Sequence, residues 1–382
     1  MYINLKNRIF GLDVIRALAI LLVLCSHSTL LLFPDNKHIL ITVIQFFGTV
    51  GVDLFFVLSG FLIGTIILKQ LQKGHTKFKD FGYFWVRRWL RTLPNYFLIL
   101  LLNIALLFVL KGEVIHGVST YFGFLQNFNT PHPDFFTEAW SLSIEEYAYI
   151  LGPLILFALV FSFKNTSYKH LFLITVLVII IGVTCFRLYF HVNNQIHNMY
   201  EWSQHIRKVV IYRIDSVYYG FLMAFLMFYY QSRIIRFKNL FLVFGLLLFI
   251  GTHVLIFSFG LQPEHAPVFF NIFYLPLLSI SLLLLFPYAV AWNPIRFFKT
   301  QFTSISVLSY GLYLVNYSIV LLTLQYFIDI SLCSNTVKVL VLIAYWLISF
   351  LLAHVLYAFF ENPMTNLRDS KYIKRFFNHK LE

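Results

Sequence analysis

The stretch at residues 171–190 reads LFLITVLVIIIGVTCFRLYF and contains a single charged residue, Arg187. About 20 apolar residues in a helix span the hydrocarbon core of a bilayer, because a helix rises about 1.5 Å per residue. The run is too long and too continuous for a strand of a membrane β-barrel, which alternates apolar and polar residues over about 10 positions. The stretch therefore predicts a transmembrane α-helix.

Nine further stretches of this kind occur along the chain. The ten predicted spans are 12–33, 46–67, 92–110, 142–162, 171–190, 211–230, 239–258, 268–288, 304–327 and 338–360. Pro94 falls in the first turn of the third span, where proline is tolerated. The composition agrees, since 59% of the residues are hydrophobic and 12% are charged, against about 25% charged in soluble domains. We therefore expect an all-α, polytopic integral membrane protein with about ten transmembrane helices.

The positive charge of the chain follows this topology. There are 29 Lys and Arg residues against 16 Asp and Glu, and 21 of the 29 lie in segments on the side of the predicted bundle that carries the N-terminus. Because cytoplasmic loops are enriched in Lys and Arg, we expect both termini in the cytoplasm and the protein in the inner, cytoplasmic membrane. The cations are spread over many loops rather than gathered in one patch, so no nucleic-acid partner is expected.

The chain is expected to form one transmembrane domain over residues 1–366 and a basic cytoplasmic tail over 367–382, with no appended soluble domain. Its three cysteines, Cys25, Cys185 and Cys333, lie in or beside apolar spans and form no Cys-x-x-Cys pair. They therefore indicate neither a disulfide framework nor a cysteine metal site, and no metal is expected.

The first span contains two ionisable residues, Arg16 and His27. Their spacing puts them within about 20° of one helical face and about 16 Å apart along the axis. With the N-terminus inside, Arg16 lies at the cytoplasmic edge and His27 in the outer half of the membrane. Ionisable groups inside a membrane indicate functional sites. The structural alternatives are an arginine that extends to the interface and a histidine that bonds a neighbouring carbonyl.

Asp53 in the second span reaches the depth of His27, because this helix enters from the opposite side. A carboxylate at that position would orient the imidazole and stabilise its protonated form. The alternative is a structural partner for another basic group. Small residues along the same span predict close helix packing; they are Gly48, Gly51, Ser59, Gly60 and Gly64.

Arg88 and Arg91 precede the third span and are spaced to share a helical face at the cytoplasmic rim. Guanidinium groups suit the recognition of phosphate through forked hydrogen bonds. A soluble phosphate ligand and an anionic lipid headgroup would both fit them. Glu361 closes the tenth span at the same side, where it could pair with one of the rim arginines, Arg16, Arg88 or Arg91.

A second polar group is expected at the outer side. Glu145 and Glu146 enter the fourth span close behind Trp140. One of the two carboxylates should face the bundle, because neighbours on a helix point about 100° apart. Arg213 and Asp215 open the sixth span at the same side, where an internal ion pair is the alternative to a binding role.

Taken together, these motifs resemble those of the membrane-bound acyltransferase 3 family, bacterial O-acyltransferases that modify cell-surface glycans and some secondary metabolites. The matching stretches run in family order and cover essentially the whole chain. They are Leu12 through Arg16 to His27, Gly51 to Phe61, Arg88 to Pro94, Trp140 to Tyr149, Arg213 to Asp215, and Glu361 to Pro363. The arginine-to-histidine spacing alone is a weak signal, whereas six motifs in order on a ten-helix topology are a strong one.

The resemblance implies an acyl-CoA donor, usually acetyl-CoA, that binds from the cytoplasm, and an acceptor hydroxyl on a cell-surface saccharide or glycolipid. By motif match, His27 would be the catalytic histidine and Arg16 its paired arginine. Arg88 and Arg91, with Arg16, would bind the CoA. Acceptor binding would fall to Trp140, Ser141, Glu145, Glu146, Arg213 and Asp215. Many relatives carry an extracytoplasmic esterase-like domain, which is not expected in this chain.

His27 is expected to remove a proton from the acceptor hydroxyl as that oxygen attacks the thioester, with Asp53 or Glu145 stabilising the imidazolium. A covalent acyl-histidine that relays the group is an open alternative. A multi-pass transporter of an anionic solute would also use buried Arg and His, but it commonly shows internal repeats, and the sequence shows none. A structural or sensory membrane protein would not need the predicted alignment of arginines and carboxylates.

Overall fold

The computed structural model describes residues 8–34, 38–293, 296–368, 370, 373, 376 and 377. Ten of its helices are long and apolar enough to cross a membrane, which confirms the predicted all-α, multi-pass architecture. The ten helices are α1 (Phe10–Leu32), α2 (Ile39–Gln72), α3 (Phe78–Lys111), α4 (Ala139–Ser162), α5 (Tyr168–Asn193), α6 (Val210–Arg236), α7 (Lys238–Ser258), α8 (Phe269–Val290), α9 (Phe298–Phe327) and α10 (Asn335–Arg368).

An even number of spans returns the chain to the side on which it started. We call the side of the bundle at which α1 begins the N-terminal face and the opposite side the far face. Which of the two meets the cytoplasm stays a prediction from the distribution of Lys and Arg. Most of the predicted basic tail at 367–382 lies outside the described residues.

The third helix departs most from its predicted bounds. It begins at Phe78 rather than at residue 92, so Pro94 lies in its interior instead of its first turn. Hydropathy alone does not predict this early start, because three arginines lower the mean hydropathy of the segment. The segment is nevertheless part of the bundle, since the rings of Phe81 and Trp85 are buried. At the start of the helix, the Asp80 carboxylate accepts a hydrogen bond of 2.9 Å from the backbone N–H of Lys77 and thereby caps the first turn.

The second helix lies at the centre of the bundle, between α1 and α6. A Cβ added to Gly60 would lie 1.8 Å from the carbonyl oxygen of Val217, and one added to Gly51 would lie 2.5 Å from that of Ala19. Only glycine permits backbones to approach so closely, and such packing is what holds helices together in lipid. The predicted packing role of the glycines in this span is confirmed, whereas Ser59 lines a cavity inside the bundle.

The first helix packs along α9. The Arg16 Nη1 atom donates to Ser306 Oγ at 3.2 Å, and the His27 side chain bonds to Asn316 near the other end of the contact. Arg16 and His27 thus share one face of α1, as their spacing predicts. A π-helical turn over Asn316–Leu321 interrupts α9 at the level of His27. Such turns insert an extra residue, re-aim side chains and occur frequently at functional sites.

Candidate active site

A cavity of about 120 Å³ lies inside the bundle, and we call it the arginine cavity. Helices α1, α3 and α4 contribute its charged lining residues, which are Arg16, Arg88, Arg91, Glu145 and Glu146. One water molecule occupies about 30 Å³ of liquid. The arginine cavity therefore has room for a narrow chain or a few small groups.

Arg88 and Glu145 belong to one hydrogen-bonded network. The Arg88 Nη2 atom donates to the Tyr149 hydroxyl at 2.8 Å and lies 3.8 Å from Glu145 Oε2. The Tyr149 hydroxyl in turn donates to Glu145. The neighbouring Glu146 accepts a hydrogen bond of 3.0 Å from the Thr92 hydroxyl, while its Oε2 atom is buried without a hydrogen-bond partner.

These contacts correct the predicted separation of inner arginines from outer carboxylates. Because α3 begins at Phe78, Arg88 lies ten residues into the helix, about 15 Å from its start. Glu145 lies six residues into α4, about 9 Å below the far-face end of that helix. The two side chains therefore meet inside the bundle, and Glu145 lines the same cavity as the arginines that were assigned to CoA.

Arg16 is only partly neutralised by its neighbours. Its Nη1 atom lies 3.6 Å from Asp13, but Asp13 also accepts hydrogen bonds of 2.8 and 2.5 Å from Arg8. One carboxylate is thus shared by two guanidinium groups. Arg91 Nε lies 3.9 Å from Glu361, one of the pairings that the sequence predicts. The side chain of Arg91 is 43% exposed and that of Arg16 is 17% exposed, so both keep donors available to a ligand.

The imidazole of His27 has a defined tautomer. Its Nδ1 atom bonds to the amide oxygen of Asn316. The Asn316 amide nitrogen donates to the carbonyl oxygens of Leu312 at 2.7 Å and Tyr313 at 2.9 Å, and this fixes which end of the amide faces the histidine. Since the amide oxygen can only accept, Nδ1 of a neutral His27 carries the proton. The lone pair then resides on Nε2, the arrangement that a general base requires.

Asp53 does not pair with His27, which corrects the predicted contact. Its carboxylate bonds to Arg213, and in a second pair Arg187 Nη2 donates to Asp215 Oδ2 at 2.7 Å. The side chains of Arg187 and Arg213 have no exposed surface. A cation buried in this way requires a carboxylate at its side, because an unpaired one is strongly destabilising. The contacts favour the structural alternative for Asp53, Arg213 and Asp215 over the predicted catalytic and substrate roles.

Glu138 is a candidate that the predicted site left out. Its Oε1 atom accepts a hydrogen bond of 2.5 Å from the Ser318 hydroxyl in the π-helical turn of α9, and its Oε2 atom is buried without a hydrogen-bond partner. Burial raises the pKa of Glu138 to about 7, against the opposing effect of the hydrogen bonds from Ser318. The ring of Tyr317 in the same turn lies 4.9 Å from the imidazole of His27. Glu138 therefore stabilises the π-helical turn whose first residue, Asn316, bonds to His27.

A single turn of α9 separates the arginine cavity from His27. Tyr313 lines the cavity, and its hydroxyl lies 2.6 Å from Ser141 Oγ. Asn316 follows one turn later and holds His27, which itself is not among the cavity-lining residues. Trp140 does not line the cavity either, since it is 5% exposed and its ring lies under the guanidinium of Arg207 at 4.8 Å.

The sequence offered only weak signals for the residues that it missed. Asn316 is one of two amides in an apolar span, and Glu138 immediately precedes the Trp140 motif. Neither position reveals its partner, because both contacts cross between helices. Among the residues that the structure describes, no group of three His, Cys, Asp or Glu side chains is placed to hold a metal ion.

Comparison with known proteins identifies relatives over almost the whole chain. A family model described as an acyltransferase domain matches residues 9–360. "Putative O-acetyltransferase" is the name of a Staphylococcus aureus (strain COL) protein that is 27% identical over 395 aligned positions, covering 92% of this chain and 56% of that protein.

Two further relatives match shorter regions. A Bacillus subtilis (strain 168) protein named "Putative peptidoglycan O-acetyltransferase" is 31% identical over 41% of this chain and 25% of its own length. The peptidoglycan O-acetyltransferase of Listeria monocytogenes is 31% identical over the same shares of the two chains. The alignments thus cover between a quarter and about half of the length of these relatives, and the almost full-length alignment covers 56%. No solved structure matches the chain.

Proposed function

The chain belongs to this acyltransferase family, and from that premise we propose that it transfers an acetyl group from acetyl-CoA to a hydroxyl of a cell-envelope saccharide. The observation that carries the proposal is the shared face of α1, which presents Arg16 to the arginine cavity and His27 to Asn316 one turn of α9 beyond it. An anion-binding end and a base-bearing end thus lie along one helix, about 16 Å apart.

The arginine cavity supports a CoA donor through its charge and its width. Arg16 and Arg91 keep exposed guanidinium surface, and forked donors of this kind bind phosphate strongly. The cavity volume of about 120 Å³ suits the narrow pantetheine arm better than the bulkier nucleotide. In this arrangement the phosphates stay at the N-terminal face, which the distribution of Lys and Arg predicts to be cytoplasmic, and the thioester points toward His27.

His27 would act as the general base. Its Nε2 lone pair accepts the proton of the acceptor hydroxyl while that oxygen attacks the thioester carbonyl carbon, forming the new C–O bond. The C–S bond then breaks, and the CoA thiolate takes the proton from the imidazolium. Asn316, rather than the predicted Asp53, holds Nδ1 and keeps the ring in this orientation. Glu145 would act at the donor end, beside Arg88.

The acceptor would approach from the far face, where the polar segments before α4 and α6 lie. The names of the three relatives support O-acetylation, and two of them specify peptidoglycan, a cell-envelope saccharide. A multi-pass protein that takes its donor from the cytoplasm and its acceptor from the envelope belongs in the inner, cytoplasmic membrane. Ser141 lines the arginine cavity near the far-face end of α4 and would contact the acceptor and the thioester there.

The test uses the purified protein in lipid nanodiscs with radiolabelled acetyl-CoA and a lipid-linked saccharide extract. We expect label to enter the saccharide as a base-labile ester, with transfer lost in His27→Ala. His354→Ala is the matched control, because His354 is an exposed histidine of another transmembrane helix. Accumulation of an anionic solute in sealed vesicles, without label in any saccharide, would contradict the proposal and favour a transporter.

A further inference from the structure

Two hydroxyl groups lie at the end of the arginine cavity that is nearest to His27. Tyr313 and Ser141 both line the cavity, and their side-chain oxygens lie 2.6 Å apart. Tyr313 comes three residues before Asn316, so the two side chains lie on one side of α9. Because Asn316 bonds to His27, a thioester that reaches His27 from the cavity lies beside this pair of hydroxyls.

The other hydroxyls of the cavity wall are engaged in short hydrogen bonds. Each donates at 2.8–3.0 Å to a backbone carbonyl oxygen or to a carboxylate. They belong to Ser59, Thr92, Ser309 and Tyr310. A ligand in the cavity would have to break one of these bonds to gain a hydrogen bond from them, so they are poor donors to a thioester.

The pair formed by Tyr313 and Ser141 differs, because one of its two protons is held loosely. When Ser141 donates to the Tyr313 oxygen, the phenolic proton is left over. Among the described residues it can then reach only the backbone carbonyl oxygen of Glu138, at 3.3 Å. This distance exceeds the range of about 2.5–3.0 Å that is usual for O–H···O bonds. The phenolic proton of Tyr313 can therefore turn toward a ligand at little cost.

Packing holds both hydroxyls in position. Tyr313 is 8% exposed and Ser141 is 4% exposed. The ring of Phe55 in α2 lies edge-on to that of Tyr313, with the ring centroids 6.2 Å apart. Hydrogen-bond donors that are fixed in advance stabilise the charge that develops in a transition state, because they need no reorganisation as the reaction proceeds.

We propose that Tyr313 is a further catalytic residue, whose hydroxyl donates a hydrogen bond to the thioester oxygen. As the acceptor oxygen bonds to the carbonyl carbon, the C=O electron pair moves onto that oxygen, and the oxyanion accepts the hydrogen bond without taking the proton. When the C–S bond breaks, the pair re-forms C=O and the CoA thiolate leaves. His27 accepts the proton of the acceptor, whereas Tyr313 stabilises the charge and Ser141 orients its hydroxyl. This inference rests on the proposed function.

The first test observes the carbonyl group of the bound donor, so it does not depend on acetyl transfer. Protein in nanodiscs is saturated with acetyl-CoA that carries ¹³C at the thioester carbonyl, and infrared difference spectroscopy against unlabelled acetyl-CoA locates the C=O stretching band. Since a hydrogen bond weakens C=O, we expect the band at lower wavenumber in the wild type than in Tyr313→Phe. His27→Ala should keep the wild-type band.

The matched control is Tyr218→Phe, which should also keep the wild-type band. Tyr218 is likewise a buried tyrosine, but it does not line the cavity, and its hydroxyl donates to the carbonyl oxygen of Ala148 at 2.6 Å. The second test is the single-turnover rate of acetyl transfer. Tyr313→Phe should transfer about a hundred- to a thousandfold more slowly with an unchanged affinity for acetyl-CoA, as loss of one oxyanion donor does elsewhere.

Equal band positions in the wild type and Tyr313→Phe would overturn the proposal even if acetyl transfer is confirmed. A weaker acetyl-CoA affinity with an unchanged rate would also overturn it, because Tyr313 would then act in donor binding alone. Should Tyr313→Phe not fold, Ser141→Ala should show both changes to a smaller degree, and the absence of both would contradict the inference. A wild-type protein that does not bind acetyl-CoA would overturn the proposed function itself, and this inference with it.

Discussion

Two sets of ionisable residues lie in this bundle and differ in how their charges are balanced. In the closed pairs, Arg213–Asp53 and Arg187–Asp215, each arginine meets one carboxylate and has no exposed surface. In the arginine cavity, Arg16 shares Asp13 with Arg8, and Arg91 is 43% exposed. An ionisable residue inside the bundle therefore indicates function when its charge is unbalanced and its surface is accessible, rather than merely when it is buried.

The largest expected effect comes from breaking a closed pair. Arg213→Leu leaves Asp53 buried without its cation and should lower the free energy of unfolding by about 3–5 kcal/mol. Thermal unfolding and the yield of monodisperse protein would measure the loss, and adding Asp53→Asn should restore most of it. If Arg213→Leu instead kept its melting temperature and lost only acceptor binding, Arg213 would belong to the substrate site that the sequence predicts.

The next largest effect is a pH dependence of stability that arises from Glu138, whose buried carboxyl has no cation beside it among the described residues and whose Oε2 atom lacks a hydrogen-bond partner. Burial raises its pKa from 4.5 to about 7, so between these pH values the folded chain holds a proton that the unfolded chain releases. Stability should therefore fall as the pH rises through this window, by at most about 3 kcal/mol, and stay level above it. Glu138→Gln should flatten the dependence of the melting temperature on pH, whereas Glu264→Gln, an exposed control, should not. Equal slopes in all three proteins would exclude the assignment.

A smaller loss is expected from the residue that orients His27. Asn316→Ala removes the acceptor for Nδ1–H and should slow acetyl transfer by about ten- to a hundredfold, as loss of a tautomer-fixing partner does elsewhere. The affinity for acetyl-CoA should not change, since Asn316 lies outside the arginine cavity. Asn316→Asp keeps an acceptor oxygen and should lose less. A weakened acetyl-CoA affinity with an unchanged rate would show that Asn316 acts on the donor side.

The sequence predicts features that lie within one helix and misses contacts that join two helices. Hydropathy and a helical period suffice to predict ten spans and the shared face of Arg16 and His27, because both depend on positions within one helix. The partners of His27 and Asp53 could not be predicted, since each contact joins helices whose rotation is set by packing. The depth of Glu145 relative to Arg88 was misjudged because the arginines masked the start of α3 at Phe78.

The smallest effect in the series is expected at the accessible end of the arginine cavity. Arg91→Ala removes one partly exposed guanidinium and should weaken acetyl-CoA binding about tenfold. Its melting temperature should fall as well, because the buried Glu361 carboxylate loses the cation beside it. Equilibrium binding of radiolabelled acetyl-CoA measures the affinity. Arg233→Ala, which removes an exposed cation at the N-terminal face away from the cavity, is the control. Equal binding by the two variants would assign Arg91 to lipid headgroups.

The most direct test of the central claim is a single-turnover measurement with His27→Gln. Protein in nanodiscs is saturated with radiolabelled acetyl-CoA and mixed with the saccharide acceptor, and the rate of label transfer is compared with that of the wild type. We predict that the variant binds acetyl-CoA normally and transfers the label about a hundred- to ten-thousandfold more slowly. Transfer within about twofold of the wild-type rate, in a variant with an unchanged melting temperature, would contradict the assignment of His27 as the base.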